Sequence, residues 1–433
     1  MTTLVVRGPA AISGETTVPG DKSISHRALM LGAVADGTTT IRNAGPGEDV
    51  ASTVRCLEAY GVRIERNGAD AVVHGRGLRS WHEPAGALDC GNSGTTMRLL
   101  CGLAAHYAFP SVLDGDASLH RRPMDRLVGP LTALGASVKT TDGRPPVTVS
   151  GGRLSGAEVE TGVPSAQVKT AVIFAGLAAD GETKVTEPAL SRDHTERILS
   201  ALGAPLTHER LPDGRHTISA SSFAPPAFDI VIPGDISSAA FLIAAAVLGG
   251  DVLIQGVGLN PTRSGFLELL SRMGAEVRWS ADRERMGEPS GSVRAGRSDL
   301  AAVTVEGPTV PTVVDELPLL AVLATQARGT STVRGAEELR AKESDRIAAT
   351  ISALRLLGAD AEEHPDGFTV RGPTPLFGTK VEAADDHRVA MALGVAGLVA
   401  SGETLVDGFE AAGVSWPGFD KVLAALGADV ELR

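Results

Sequence analysis

The segment LEAYGV at residues 57–62 has five similar segments in this chain of 433 residues. They are LTALGA (131–136), LSALGA (199–204), LSRMGA (270–275), LRLLGA (354–359) and LAALGA (423–428). The glycines of successive copies are separated by 74, 68, 71, 84 and 69 residues. Because glycine readily adopts the left-handed conformation that ends many helices, each copy predicts the end of a helix. A spacing near 70 residues over the whole chain predicts six copies of one structural unit.

Each unit also contains an earlier, more apolar segment. An Ala/Leu-rich helix runs through a turn into a β-branched strand, as in LGAVADGTTTI (31–41) and LAADGETKV (177–185). The first helix is apolar nearly all round, which predicts burial, whereas the second helix has one apolar stripe and is expected to face outward. We therefore predict an α/β protein of six units closed into compact lobes, with a join near Pro225–Pro226 and Pro233.

Composition limits the possible partners of the chain. Forty Lys and Arg against 52 Asp and Glu give a net charge of −12, which disfavours nucleic acid and anionic membrane. Ten Phe, three Trp and two Tyr are too few for base-stacking platforms. The three cysteines form no CxxC pair, and the N-terminus MTTLVVRGP has no signal-peptide pattern. We expect a cytoplasmic protein that binds neither nucleic acid nor membrane.

Polar clusters precede the buried helices. They are DKSISHR (21–27), GNSGTTMR (91–98), PSAQVK (164–169), GDISS (234–238), VDELP (314–318) and DDHR (385–388). Helix capping explains the Ser, Asn and Asp side chains one by one. Capping does not explain the cations Lys22, Arg27, Lys169 and Arg388, because a positive charge opposes the dipole at a helix N-terminus. Bound anions between these cations and the helix ends would explain them.

The outer helices begin with charged segments as well. For Arg121, Arg126 and Glu196 we adopt the interpretation of a solvated surface. The segment RAKESDR (340–346) combines two arginines, a lysine and two acids with a serine, so both a surface network and a proton-handling site remain open for it.

Several other chemistries lack their motifs. PGDKS departs from a phosphate-binding P-loop because Asp21 separates Gly20 from Lys22, and no GxGxxG follows a predicted strand. HExxH, calcium-loop and GxSxG patterns are also missing from the sequence, so we expect no metal site and no cofactor. A set of sites for small anions is what remains.

Taken in order, GDKSISHR, LDCGNSGTTMR, RRPM, SAQVK, SRDH, VDELP, RAKESDR and DDHR resemble the 5-enolpyruvylshikimate-3-phosphate synthase family over essentially the whole chain. The resemblance implies a two-lobed inside-out α/β barrel, built from six βαβαββ-like repeats with buried helices. It implies lobes of three repeats each, one comprising residues 19–234 and the other 1–18 with 235–433. It also implies that ligands close the lobes together.

The same resemblance implies the reaction and its residues. Shikimate 3-phosphate and phosphoenolpyruvate would give 5-enolpyruvylshikimate 3-phosphate and phosphate, on the route to chorismate and the aromatic amino acids. Residues matching the shikimate 3-phosphate site are Lys22, Ser23, Arg27, Ser165, Ala166, Gln167, Arg192, Asp315 and Lys342. Residues matching the phosphoenolpyruvate site are Lys22, Gly94, Arg122, Gln167, Arg346 and Arg388.

The resemblance also implies catalytic roles for Asp315, Glu343 and Lys22. Asp315 matches the family's general base and Glu343 its proton-handling acid, with Lys22 nearby. Addition to the enol carbon followed by loss of phosphate needs no covalent enzyme link and no cofactor. We expect the chain to act as a monomer.

The chain departs from the family pattern at two positions. Val414 stands where many members have a lysine before an aromatic-Pro pair, so the phosphate contact of that lysine has no counterpart at this position. Leu99 follows GNSGTTMR where many members have proline.

Two alternatives remain open. A UDP-N-acetylglucosamine enolpyruvyl transferase shares the repeat architecture, but its reactive cysteine is missing from the corresponding segment DGDASLHRR (114–122), and Cys90 is expected to pack in a core. A non-catalytic repeat protein that binds phosphorylated metabolites, or a nucleic-acid-end enzyme of similar design, is the other alternative. The acidic net charge disfavours nucleic acid, and the presence of Asp315 and Glu343 disfavours a silent scaffold.

Overall fold

One order of helices and strands occurs six times in the computed structural model, which describes Thr2–Arg433. The helices are α1 (Lys22–Val34), α2 (Glu48–Ala59), α3 (Gly94–Ala104), α4 (Val128–Ala133), α5 (Ala166–Gly176), α6 (His194–Ala201), α7 (Ile236–Gly249), α8 (Gly265–Arg272), α9 (Val310–Val313), α10 (Leu317–Gln326), α11 (Arg346–Leu356), α12 (His387–Gly397) and α13 (Phe419–Ala425).

The strands are mostly short. They are β1 (Thr3–Gly8), β2 (Ile12–Thr17), β3 (Asp36–Arg42), β4 (Arg63–Asn67), β5 (Asp70–Arg76), β6 (Leu88–Asp89), β7 (Ser111–Asp114), β8 (Ser137–Thr141), β9 (Arg144–Ser150), β10 (Leu154–Ser155), β11 (Glu158–Glu160), β12 (Ala179–Asp180), β13 (Glu182–Glu187), β14 (Leu206–Arg210), β15 (His216–Ser221), β16 (Asp229–Val231), β17 (Gly250–Gly258), β18 (Glu276–Arg285), β19 (Glu288–Gly296), β20 (Thr304–Val305), β21 (Gly329–Val333), β22 (Asp360–His364), β23 (Gly367–Gly372), β24 (Lys380–Glu382), β25 (Gly402–Asp407) and β26 (Val430–Leu432).

Each repeat contributes a strand, a buried helix, a strand, an outer helix and two further strands. Its four-stranded sheet has the order first, second, fourth, third, as in β6-β7-β9-β8 and β20-β21-β23-β22. The first two strands pair in parallel, as β6 does with β7, and the fourth strand pairs antiparallel with the second. The six sheets stay separate and do not close into a barrel in the part of the chain described. The predicted α/β class and its six repeats are confirmed.

The N-terminal strands complete repeats that lie far away in the sequence. In the sheet β24-β25-β1-β26, strand β1 takes the place of the fourth strand of the repeat. Strand β2 takes the place of the first strand in the sheet β18-β19-β17-β2. Strand β16, in turn, pairs with β3 of the first repeat. The chain accordingly divides into an N unit (20–232 and 284–288) and a C unit (2–19, 233–283 and 289–433), each containing three repeats. The domain limits expected from the family resemblance stay a prediction.

The glycines of the six repeated segments end the outer helices. Gly61, Gly135, Gly203, Gly274, Gly358 and Gly427 have φ between 83° and 102°. A side chain is disfavoured in this conformation, so the sequence signature and its physical cause agree.

Burial separates the two kinds of helix. In α7, residues Ile236–Val247 are buried without a break, and α7, α10 and α12 contact one another inside the C unit. The outer helix α8 instead exposes Glu268, Ser271 and Arg272 to various degrees. The helical stretch Gly307–Gln326 is long and apolar enough to span a membrane by length and composition alone, but its α10 part is buried in the core of the C unit.

A close approach of two helices gives a test of the packing. A Cβ added to Gly102 of α3 would lie 2.2 Å from the carbonyl oxygen of Ala171 in α5, whereas one added to Gly129 of α4 would meet no atom within 4 Å. We expect Gly102→Ala to lower the free energy of unfolding by about 1–3 kcal/mol, because the helices must move apart. The control Gly129→Ala is expected to raise it by about 0.5–1 kcal/mol. Urea unfolding of both variants checks this, and an unchanged stability of Gly102→Ala would contradict it.

Candidate active site

Capping accounts for one side chain at the start of five buried helices. Asp21, Ser93, Ser165, Asp235 and Asp386 each accept a hydrogen bond from a backbone N–H in the first turn of α1, α3, α5, α7 and α12. The start of α10 differs, since its cap residue Glu316 makes no capping hydrogen bond through its side chain. The Glu316 carboxylate instead accepts a hydrogen bond from Ser237.

Lys22 at the start of α1 pairs with a carboxylate from α2. Its Nζ donates to Oδ2 of Asp49 at 2.8 Å, and the two side chains are 18% and 7% exposed. The neighbouring Ser23 is half-buried. The ammonium group thus keeps limited access to solvent while a buried acid holds it. Asp49 lies in none of the sequence motifs and was not predicted as a site residue.

Arg27 lies one turn further along α1 and is buried among protein groups. Its Nε donates to Thr195 at 2.7 Å, and its two terminal nitrogens donate to Thr170 at 3.0 Å and to the carbonyl of Ser23 at 2.8 Å. Burial lowers the pKa of Arg27 to about 10, opposed mainly by the charge of Glu196. The guanidinium is still charged at neutral pH and is held rigidly.

The start of α3 brings two guanidinium groups together. Arg122 donates to the side-chain oxygen of Asn92, and Arg98 donates to Oε1 of Gln167 at 2.6 Å. Gly94 allows this approach, because a Cβ there would lie 2.8 Å from Arg98 Nη1 and 3.3 Å from Arg122 Nη1. Asn92 and Arg98 stood inside the quoted motif GNSGTTMR but were not recognised individually as site residues.

The remaining predicted residues of the N unit lie around α5 and α6. Gln167 donates to Thr95 at 2.9 Å, which ties α5 to α3. Ser165, Ala166 and Arg192 are half-buried, so each has some access to solvent.

Two interpretations from the sequence are wrong in the N unit. Lys169 is not placed to bind an anion at the start of α5, because its ammonium group is fully buried between Glu187 and Glu196. Glu196 is not on a solvated surface, since only 1% of the residue is exposed. Arg121 and Arg126 are exposed as expected, and Cys90 is buried in the core.

In the C unit, three carboxylates surround Arg346 at the start of α11. Its nitrogens lie 2.6 Å from Glu343 Oε2, 2.8 Å from Asp386 Oδ2 and 3.3 Å from Asp315 Oδ1. Burial lowers the pKa of Arg346, but these three acids more than offset that effect and raise it above its usual value. The site therefore joins both candidate proton-transfer residues to one permanent cation. Asp386 lies in the motif DDHR but was not predicted as a site residue.

A second network of side-chain contacts links Arg388 to Glu316 and beyond. Arg388 Nη1 lies 3.6 Å from Glu316 Oε1, which also accepts a hydrogen bond from Ser237. Arg263 donates to Ser237 at 2.7 Å and so extends the network into the fourth repeat. Burial raises the pKa of Glu316, which Arg388 opposes. Ser237, Arg263 and Glu316 were not predicted as site residues.

Lys342 is more accessible than these groups. Its side chain is 25% exposed, and Nζ lies 2.9 Å from Glu338. The side chains of Asp315 and Glu343 are 14% and 13% exposed.

Val414 is half-buried at the end of a 3₁₀ helix, and Leu99 is buried within α3. Among the residues described, no cluster of three or more His, Cys, Asp or Glu has the arrangement of a metal site.

Comparison with known proteins identifies relatives over the full length. The family model described as EPSP synthase (3-phosphoshikimate 1-carboxyvinyltransferase) matches residues 6–423. A 3-phosphoshikimate 1-carboxyvinyltransferase of Desulforamulus reducens is 47% identical over 97% of this chain and 98% of its own. The protein of the same description from Synechococcus sp. strain RCC307 is 48% identical over 98% of this chain and 99% of its own.

Solved structures show the same fold. The EPSP synthase of Acinetobacter baumannii is 39% identical, with a TM-score of 0.88 over 100% of this chain and 99% of its own. The enolpyruvyl transferase NikO of Streptomyces tendae is 20% identical, with a TM-score of 0.81 and the same coverage, and so supports the fold alone.

The double role of Asp386 gives a test of this site. Asp386 caps α12 through Oδ1 and binds Arg346 through Oδ2. Asparagine is also a good helix cap, so Asp386→Asn is expected to cost about 1.5–3 kcal/mol of unfolding free energy from the lost charged hydrogen bond. Asp386→Ala is expected to cost about 1 kcal/mol more, because the cap is lost too. Urea unfolding measures both, and equal stabilities of the two variants would refute the separate capping role.

Proposed function

The chain belongs to the EPSP synthase family, and on that premise we propose which of its residues bind the substrates and move protons. It transfers the enolpyruvyl group of phosphoenolpyruvate to the 5-hydroxyl of shikimate 3-phosphate and releases phosphate, a step in the shikimate pathway of aromatic amino acid biosynthesis. The contacts of Arg346 with Asp315 and Glu343 are the main support for assigning these residues to the site, because they join an anion-binding cation to two proton carriers.

The phosphate and hydroxyl groups of shikimate 3-phosphate require cations and hydrogen-bond partners. We assign them to Lys22, Ser23, Arg27, Ser165, Ala166, Gln167, Arg192, Asp315 and Lys342. Ser165 supports this assignment, because a phosphate at the start of α5 would meet backbone N–H groups that the helix leaves free.

Phosphoenolpyruvate carries a phosphate and a carboxylate, which arginine binds well in a bidentate geometry. We assign it to Lys22, Gly94, Arg122, Gln167, Arg346 and Arg388. The close approach of Arg98 and Arg122 beside Gly94 supports the assignment, since two guanidinium groups at one place favour an anion there.

The reaction then proceeds by addition and elimination. Asp315 takes the proton of the 5-hydroxyl while that oxygen bonds to C2 of phosphoenolpyruvate, and Glu343 gives a proton to C3, which becomes a methyl group. In the second step C3 returns a proton to Glu343, the C2–O bond to phosphate breaks, and phosphate leaves with the proton held by Asp315. Both steps balance without a cofactor.

Arg346 links substrate binding to this proton transfer. In the ligand-free chain its nitrogens contact the carboxylates of Asp315 and Glu343. A phosphoenolpyruvate anion at Arg346 would compete with both acids for the same positive charge.

The partners we propose are these two small anions alone. We further propose that the chain is a cytoplasmic monomer that binds neither nucleic acid nor membrane. The acidic net charge of −12 favours this, because the cations named above are gathered at a few helix starts.

Phosphate release tests the activity directly. Purified protein given shikimate 3-phosphate and phosphoenolpyruvate, with EDTA present, is expected to release phosphate in a coupled assay. Phosphate release with a UDP-amino sugar as acceptor, and none with shikimate 3-phosphate, would reverse the conclusion about the acceptor. Binding of both compounds without turnover would indicate a silent scaffold instead.

Arg122 tests the assignment of the phosphoenolpyruvate site. Arg122→Ala is expected to weaken phosphoenolpyruvate binding by about 1.5–3 kcal/mol, the magnitude of a hydrogen bond to a charged group, and to affect shikimate 3-phosphate less. The matched control is Arg126→Ala, since Arg126 lies nearby and is exposed. Steady-state KM values for each substrate measure the effect, and an equal rise in both KM values would contradict the assignment.

A further inference from the structure

A lysine without exposure lies inside the N unit, on a helix that is apolar from Ala171 to Gly176. Lys169 of α5 places Nζ 2.7 Å from Glu196 Oε1, 2.8 Å from Glu187 Oε1 and 3.3 Å from the carbonyl oxygen of Ser191. Lys169 and Glu187 are 0% exposed, and Glu196 is 1% exposed. We call Lys169, Glu187 and Glu196 the buried triad.

The triad is charged and costly to bury. Burial lowers the pKa of Lys169, but the negative charges of Glu196 and Glu187 more than compensate, so the pKa is raised and the lysine stays protonated. Apolar side chains of similar volume often stabilise a core as well as a buried ion pair does or better. Stability alone therefore does not explain the triad, whereas a role in positioning other groups would explain it.

Arg27 balances the remaining charge. Two glutamates face one lysine within the triad, and the charge of Glu196 is the largest favourable influence on the buried guanidinium of Arg27. Arg27 donates to Thr170 and Thr195, which directly follow Lys169 and directly precede Glu196 in the sequence. These two threonines also bond to each other at 2.6 Å. The contacts that hold Arg27 are thus continuous with those of the triad.

The triad also fixes the backbone on two sides. Lys169 belongs to the first turn of α5 together with Gln167, and its backbone N–H donates to the carbonyl oxygen of the cap Ser165 at 2.9 Å. Glu187 accepts a hydrogen bond from the backbone N–H of Ser191 at 2.9 Å, immediately before Arg192. The residues placed in this way were assigned above to shikimate 3-phosphate, and Gln167 to phosphoenolpyruvate as well. No part of the triad is itself exposed to a substrate.

We propose that Lys169, paired with Glu187 and Glu196, is a positioning residue that sets Arg27, the start of α5 and Arg192 for binding of shikimate 3-phosphate. This role rests on the proposed function. It predicts a larger rise in the KM for shikimate 3-phosphate than in the KM for phosphoenolpyruvate, whereas a lysine needed only for stability would leave the KM of both substrates unchanged in the folded enzyme.

The experiment uses two variants of the full chain. Lys169→Met removes the positive charge, and Lys169→Met/Glu196→Gln removes one charge of each sign, so that Glu187 and Arg27 remain balanced. In both variants we expect the KM for shikimate 3-phosphate to rise about tenfold, as for loss of one charged hydrogen bond, and the KM for phosphoenolpyruvate to rise less, because only Gln167 among these residues was assigned to it. The control Lys184→Met removes a half-exposed lysine paired with Glu158 in the same unit, and is expected to change neither KM.

The outcomes separate the two levels of the proposal. If wild-type protein releases no phosphate from its two substrates, the proposed function fails. If wild type is active and the double variant keeps its KM for shikimate 3-phosphate, or raises both KM values equally, the positioning role is overturned. If the double variant does not fold, Lys169 serves the fold rather than the site, and the positioning role is overturned as well.

Discussion

A positive charge buried at the start of a helix must have a negative partner, and this constraint shapes both units of the molecule. Arg346 at the start of α11 is only 2% exposed and is held by Glu343, Asp386 and Asp315. Lys169 near the start of α5 is held by Glu187 and Glu196. Helix α11 is an outer helix and α5 a buried one, so the constraint applies to both kinds of helix in the repeat.

The two clusters differ in exposure. Among the carboxylates around Arg346, Asp315 and Glu343 are partly exposed, so an incoming anion could compete with them for the arginine. The glutamates around Lys169 are buried, with 0% and 1% of their side chains exposed. This difference is the basis for proposing proton transfer at the first cluster and a positioning role for the second.

Much of the fold could be predicted from local patterns, whereas the partners of the site residues could not. The helix-ending glycines act within one turn, and the helix caps act within three residues, so both leave signals in the sequence. The contacts of Lys22 with Asp49 and of Gln167 with Arg98 join residues 27 and 69 positions apart. Glu196 shows the same limit, because nothing in SRDHTER distinguishes a buried partner of Lys169 from an acid on the surface of a helix.

We propose that cations at these helix starts bind two small anions. A crystal structure of the chain with shikimate 3-phosphate and a phosphoenolpyruvate analogue is the direct test. We expect the sugar phosphate beside Ser165, Gln167 and Arg192, and the analogue beside the arginines assigned to it above, each anion within about 4 Å of an arginine nitrogen. Ligands bound elsewhere, with these arginines still holding only protein carboxylates and amides, would contradict it.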